Sequence, residues 1–133
     1  MKITLTISGP TTYTLADISA TPRVTALIES WSGQSIVQIE PLFRATNDVK
    51  FASGNAGGQI VFTAGCSYAD VPTAVTAFVT AYGLLNSQGA LKILNGATTL
   101  ATMQNAILRD VARVEFNGKW LKLRYTFEFT TCV

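Results

Sequence analysis

Histidine is absent from this 133-residue chain. Imidazole is the commonest general base near neutral pH and the commonest protein ligand for zinc, copper and non-haem iron. Ser-His-Asp, Cys-His and HExxH sites are therefore excluded. Charge is scarce too, at 14% of residues against about 25% in an ordinary soluble domain. With 48% apolar residues and a mean hydropathy of +0.30, the chain has too few charges to wet its whole surface. Much of the polar share falls to 18 Thr and 8 Ser. Such a surface is expected to be covered in part by a partner.

Long apolar runs are missing as well. No stretch reaches the roughly 18 residues of a membrane span, and the opening MKITLTISGP alternates where a signal peptide would be uniformly apolar. The expectation is a chain made in the cytoplasm, with no membrane span and no Sec signal. Cysteine is limited to Cys66 and Cys132, too few for a four-ligand zinc site. Each follows a β-like run and reads as a small apolar residue in a reducing compartment, a disulfide between them being the alternative. The net charge of +2 is too weak for a nucleic-acid footprint. Arg109, Arg113, Lys119, Lys122 and Arg124 gather late, but Asp110, Glu115 and Glu128 interleave with them as on a solvated strand face.

What is present is alternation. Ile3, Leu5 and Ile7 share one side of residues 2–8, Thr4, Thr6 and Ser8 the other. Gly9-Pro10 breaks that strand, 12–15 forms a short second one, and 23–31 alternates again before a turn at Ser32-Gly33-Gln34. Residues 35–43 read as a strand that Pro41 either makes an edge strand or ends. The glycine-rich stretch 44–59 reads as a loop excursion from a single domain, 1–133, and 60–64 as strand. Asp70 as N-cap, Pro72 in the first turn and a stripe of Val71, Ala74, Val75, Phe78, Val79, Tyr82 and Leu85 predict one helix over about 71–85. Its other face, Thr73, Thr76, Ala77 and Thr80, carries no charge. Asn95-Gly96 and Asn117-Gly118 predict tight hairpins of type I′, and 103–106 a turn or bulge. In the last strand Leu121, Leu123, Tyr125, Phe127 and Phe129 all face one way.

No constellation here predicts catalysis, a metal or a cofactor. Ser53-Gly54-Asn55-Ala56-Gly57-Gly58 lacks the GK[ST] ending of a phosphate loop and precedes a strand instead of a helix. Glu29 with Glu40, or Asp110 with Glu115, could be paired carboxylates. Each sits in an alternating strand and reads as an exposed ladder charge. Trp120 follows a turn and reads as a hairpin aromatic, Trp31 as a core or interface residue.

A Thr-rich, His-free, mostly β chain with one amphipathic helix between strands and a closing hairpin that carries RYTFEFTT resembles the tail proteins of tailed bacteriophages. Tail-tube subunits, distal-tail adaptors and related virion components are the members in question. The resemblance implies a mainly β fold, an antiparallel sandwich or split barrel with one flanking helix. It implies a non-enzymatic virion protein that assembles in the host cytoplasm into a homo-oligomeric ring, expected to be a hexamer, and binds other tail proteins. The expected interface residues are Thr73, Thr76 and Thr80 on the helix, with Phe51, Asn55, Gly57 and Gly58 in the excursion. The alternative reading is a small ligand-binding β-barrel.

Overall fold

The chain folds as β1 (Lys2–Ile7), β2 (Thr11–Asp17), β3 (Val24–Glu40), β4 (Val49–Ser67), α1 (Val71–Tyr82), β5 (Gln88–Asn95), β6 (Thr98–Asn117), β7 (Trp120–Phe129) and β8 (Thr131–Cys132). The structure is a computed structural model that describes residues 1–40 and 49–133, and over 34–40 and 49–56 the backbone pairing alone. The mainly β class with one flanking helix is as the sequence implied.

All strand pairs are antiparallel, in the order β5-β1-β2-β3-β4-β7-β6-β8. An additional β5–β6 pairing closes the circuit. The closure is thin at one place, where β2 and β3 share a single partner pair, Asp17 with Val24. The result is a split barrel, a front sheet β3-β4-β7-β6 and a back sheet β2-β1-β5-β6, with β6 long enough to serve both. Asn105, at φ 52°, marks its bend. The bulge expected over 103–106 is there, since the register against β5 shifts between Gly89 and Leu91, opposite Ala106 and Met103.

The alternation of β7 is realised in full: Leu121, Leu123, Tyr125, Phe127 and Phe129 are all buried. Phe62 of β4 lies with its ring centroid 5.2 Å from that of Tyr125 and 6.0 Å from that of Phe127. Ile3, Leu5, Leu91, Met103 and Leu108 fill the interior from the back sheet and β6. Burying each of these large side chains stabilises the fold by roughly 1.5–3 kcal/mol before entropy is counted.

Three sequence expectations are corrected. In place of a turn at Ser32-Gly33-Gln34 and a loop excursion over 44–59, the described residues form one long antiparallel strand pair. β3 runs on through Gly33, and 49–59 is strand paired to it; 44–48 lie outside the described residues. The glycines that suggested a loop serve close approach instead. A Cβ on Gly57, at φ +89°, would collide with the Phe129 carbonyl, and one on Gly58 with the Ser32 carbonyl. Second, the hairpin loops are Gly96-Ala97 and Gly118-Lys119, one residue later than the Asn-Gly reading. Only the glycines have positive φ, at 61° each, which is the glycine-first pattern of type II′ and not type I′.

Third, the helix presents a different face. It ends at Tyr82, before the expected 85, with Asn86 at φ 68° just beyond. Asp70 caps it as expected, its Oδ1 accepting from the Thr73 amide at 2.8 Å and the Thr73 hydroxyl at 2.6 Å. Ala74 and Ala81 are buried, and Ala77 and Phe78 pack half-buried against the core that holds Tyr125. Val71, Val75, Val79 and Tyr82, expected inside, are exposed. Small alanines let the helix backbone lie close to the sheet, so the bulkier valines are left on its outer side.

Candidate assembly interface

Two open ladder edges flank the front sheet. Beyond Val24, residues 25–33 of β3 pair with β4 on one side and, among the described residues, with nothing on the other. At the opposite flank β6 pairs with β7 on one side. Its other side is bonded at Leu108, whose carbonyl accepts from the Asn86 amide and whose amide donates to the Ser87 carbonyl, and is then open over 109–117 among the described residues. Each edge is interrupted by register shifts, between Ile28 and Ser30 on β3, and between Leu108 and Asp110 and between Arg113 and Glu115 on β6. Such bulges limit how far another strand can extend the ladder.

Past Gly58 the pairing of β4 with β7 ends, yet β3 and β4 continue as a two-stranded arm from the pair Gln34–Gly57 to the pair Glu40–Val49. At roughly 3.3 Å per residue this ribbon extends some ~20 Å past the sheet. An open hollow of about 410 Å³ lies at its root, lined by Ser32, Gln59, Asn105, Ile107, Glu128 and Thr130 among others.

The outward side of the front sheet is polar and internally matched. Arg124 of β7 donates from Nε to Glu29 Oε2 at 2.8 Å and from Nη2 to Oε1 at 3.1 Å. That bond and charge hold the Glu29 carboxyl below its usual range and push the Arg124 guanidinium up. Arg109 lies 3.7 Å from Glu128, and Trp120 Nε1 donates to Glu115 at 2.6 Å. The carboxylates offered as acid/base pairs are thus taken separately. Glu29 pairs with Arg124, Glu115 holds Trp120, and the side chain of Glu40 lies outside the described residues. Burial raises the Cys66 thiol and the Tyr68 and Tyr125 hydroxyls above their ordinary values. Cys66 is buried and Cys132 exposed, and both are free. Among the described residues no group of three potential metal ligands is found, and no helix is long and apolar enough to cross a membrane.

The interface residues named from sequence fall into three places. Thr73, Thr76 and Thr80 are exposed on α1, with the Thr76 hydroxyl donating to the Pro72 carbonyl at 2.9 Å. Phe51 and Asn55 lie on the arm, and their side chains are outside the described residues. Gly57 and Gly58 sit at the arm's root, against Phe129 and Ser32. Sequence reasoning missed the apolar set beside the threonines: Val71, Val75, Val79 and Tyr82, with Val79 60% and Tyr82 57% exposed. It also missed Leu27 on the β3 edge, 63% exposed, while Trp31, read as a core or interface residue, is 44% exposed on the same strand.

No family model matches this chain, and no curated protein matches it. Among solved structures, a chain of the anti-feeding prophage baseplate, determined by cryo-EM with 6-fold symmetrisation, is similar. The likeness covers 99% of this chain and 89% of that one, at 12% identity and a TM-score of 0.54. A chain in the sheath/tube terminator of the PVC extracellular contractile injection system is similar over 90% of this chain and 97% of that one. It has 14% identity and a TM-score of 0.41. The baseplate likeness spans nearly the whole chain, and the chain shares the fold of that baseplate chain.

Proposed function

We propose that this chain is a structural, non-enzymatic subunit of a phage-tail-like particle, a tube, distal-tail or baseplate component that joins copies of itself into a ring. The observation that carries the reading is the pair of open edges on one four-stranded sheet. Because β3-β4-β7-β6 alternates in direction over an even number of strands, β6 of one copy meets β3 of the next antiparallel, and the same contact repeats around a ring. Six copies is the expected number, in keeping with the 6-fold symmetrisation of the baseplate whose chain has this fold. The arm is then free to reach a neighbouring ring or another tail protein. A ligand-binding barrel draws less support, because the interior is filled by fully buried Phe62, Phe127, Met103 and Leu108, and the hollow at the arm root is open.

Size-exclusion chromatography with light scattering, followed by negative-stain microscopy, tests this. Rings, or tubes stacked from them, are expected as concentration rises. A chain that stays monomeric up to about millimolar concentration, where even weak contacts form, would overturn it.

A further inference from the structure

The apolar helix stripe and the open β3 edge match each other in place and direction. Val24, Ala26, Ile28 and Trp31 stand opposite Cys66, Ala64, Phe62 and Ile60 in register, so they lie on the core-facing side of the front sheet, the first three half-buried against the chain's own core with their rim open at the edge, and Trp31 44% exposed. α1 lies on that same side but at the other flank, over β6 and β7. Two bonds fix its height. The Tyr68 amide donates to the Lys119 carbonyl just before the helix, and the Asn86 amide to the Leu108 carbonyl just after it.

The ladder carries those heights across the sheet. Near the helix start, Phe116, Leu121, Cys66 and Val24 form one row, and near its end Leu108, Phe127, Ile60 and Trp31 form another. The exposed stripe Val71, Val75, Val79, Tyr82 therefore runs parallel to the row Val24, Ala26, Ile28, Trp31. The stripe spans ~16 Å at 1.5 Å per residue, and the β3 row ~20 Å once its bulge is allowed for. Neither set contains a charge.

We infer that in the lateral contact between copies the exposed stripe of α1 seats against this β3 row of the next copy, with Trp31 as the anchor beside Val79 and Tyr82. The inference rests on the ring reading above and adds its packing. The contact is heterologous: one flank of each copy supplies the helix, the other the tryptophan. A large aromatic at the centre of an apolar contact is where binding energy concentrates.

The test is pairwise cross-linking in a Cys132→Ser background, with Trp31→Cys and Val79→Cys on separate chains and a short bismaleimide. Mixing the two is expected to give a covalent dimer that neither gives alone, and both changes on one chain a ladder up to the ring size. Val79→Cys cross-linking to itself would mean helix-to-helix contact and overturn the inference. So would assembly by light scattering without a mixed dimer, which leaves the ring reading standing. A parent chain that never assembles overturns both. As a second measure, Trp31→Lys and Val79→Glu should each weaken assembly at least ten-fold while circular dichroism is unchanged, and together restore it.

Discussion

Glu29 and Arg124 form a two-pronged ion pair across an intervening strand: one lies on β3, the other on β7, and β4 runs between them. The pair ties the open edge of the front sheet to its centre just where the β3 register shifts. Both groups are partly exposed, so its worth lies in placement more than in energy. In an NMR titration the Glu29 carboxyl should titrate below the ordinary glutamate value of about 4.3, because Arg124 bonds its charged form. Since the folded value is the lower one, the pair's stabilisation is present above the unfolded value and lost as pH falls through the folded one. Arg124→Gln should return Glu29 to the ordinary range. A Glu29 midpoint unchanged by that substitution would show that the pair does not persist in solution.

The helix faces make a second expectation quantitative. Phe78 is only half-buried, so Phe78→Ala should cost roughly 2 kcal/mol, below the range of about 3–5 kcal/mol for a fully buried phenylalanine. Val75→Ser, on the outer side, should change folding by less than about 0.5 kcal/mol. Denaturant titrations of both variants check this, and reversed magnitudes would mean the helix is rotated.

How much of this was legible follows from where each signal comes from. The register of β7, the Asp70 cap and the bulge at Asn105 are set by neighbours in sequence, and each was readable. The helix face was not, because α1 is apolar nearly all round. Periodicity favours the bulkier Val71, Val75 and Val79, whereas close approach to the sheet selects Ala74, Ala77 and Ala81. The arm was misread because its glycines look like a loop, while their reason lies far along the chain at Phe129. The two open edges depend on which strands pair, which no local pattern states.

Gly57 and Gly58 test the corrected reading of that segment. If they belonged to a loop, alanine would be tolerated at both. Packed under Phe129 and Ser32, each alanine should collide with backbone and cost well above about 2 kcal/mol. Gly96→Ala, with open space around it and only its φ of +61° to strain, should cost about 1 kcal/mol. Thermal unfolding of the three variants ranks them, and equal tolerance at Gly58 and Gly96 would contradict the close approach.

The cap of α1 gives a pH-dependent expectation at the helix that carries the proposed contact. Hydrogen bonds from the Thr73 hydroxyl and amide hold the Asp70 carboxyl below its usual range. Its stabilisation is therefore complete above the unfolded aspartate value of about 3.9 and is lost as pH falls through the lower folded value. Asp70→Asn keeps an acceptor for the cap but cannot titrate. The variant should match the parent near neutrality and show a shallower fall in melting temperature below about pH 4. An unchanged slope would assign the acid sensitivity to the other lowered carboxyls, Asp17, held by Ser19 and Lys2, and Glu29, held by Arg124.

The arm offers a way to separate ring formation from what the ring docks to. Removing 52–58 alone would unbalance β3 against β4 and take out Gly57 and Gly58, which seat the sheet against Phe129 and Ser32. Trimming both strands together avoids this. Replacing 35–56 by a two-residue Asn-Gly loop joins Gln34 to Gly57, already partners, and leaves the pairing of 24–33 with 58–66 in place. The trimmed chain should melt within a few degrees of the parent and still form rings by light scattering. If the arm reaches a neighbouring ring, those rings should no longer stack into tubes in negative stain. Trimmed rings that stack as readily as the parent's would remove the arm from axial assembly, and loss of the rings themselves would place it in the lateral contact.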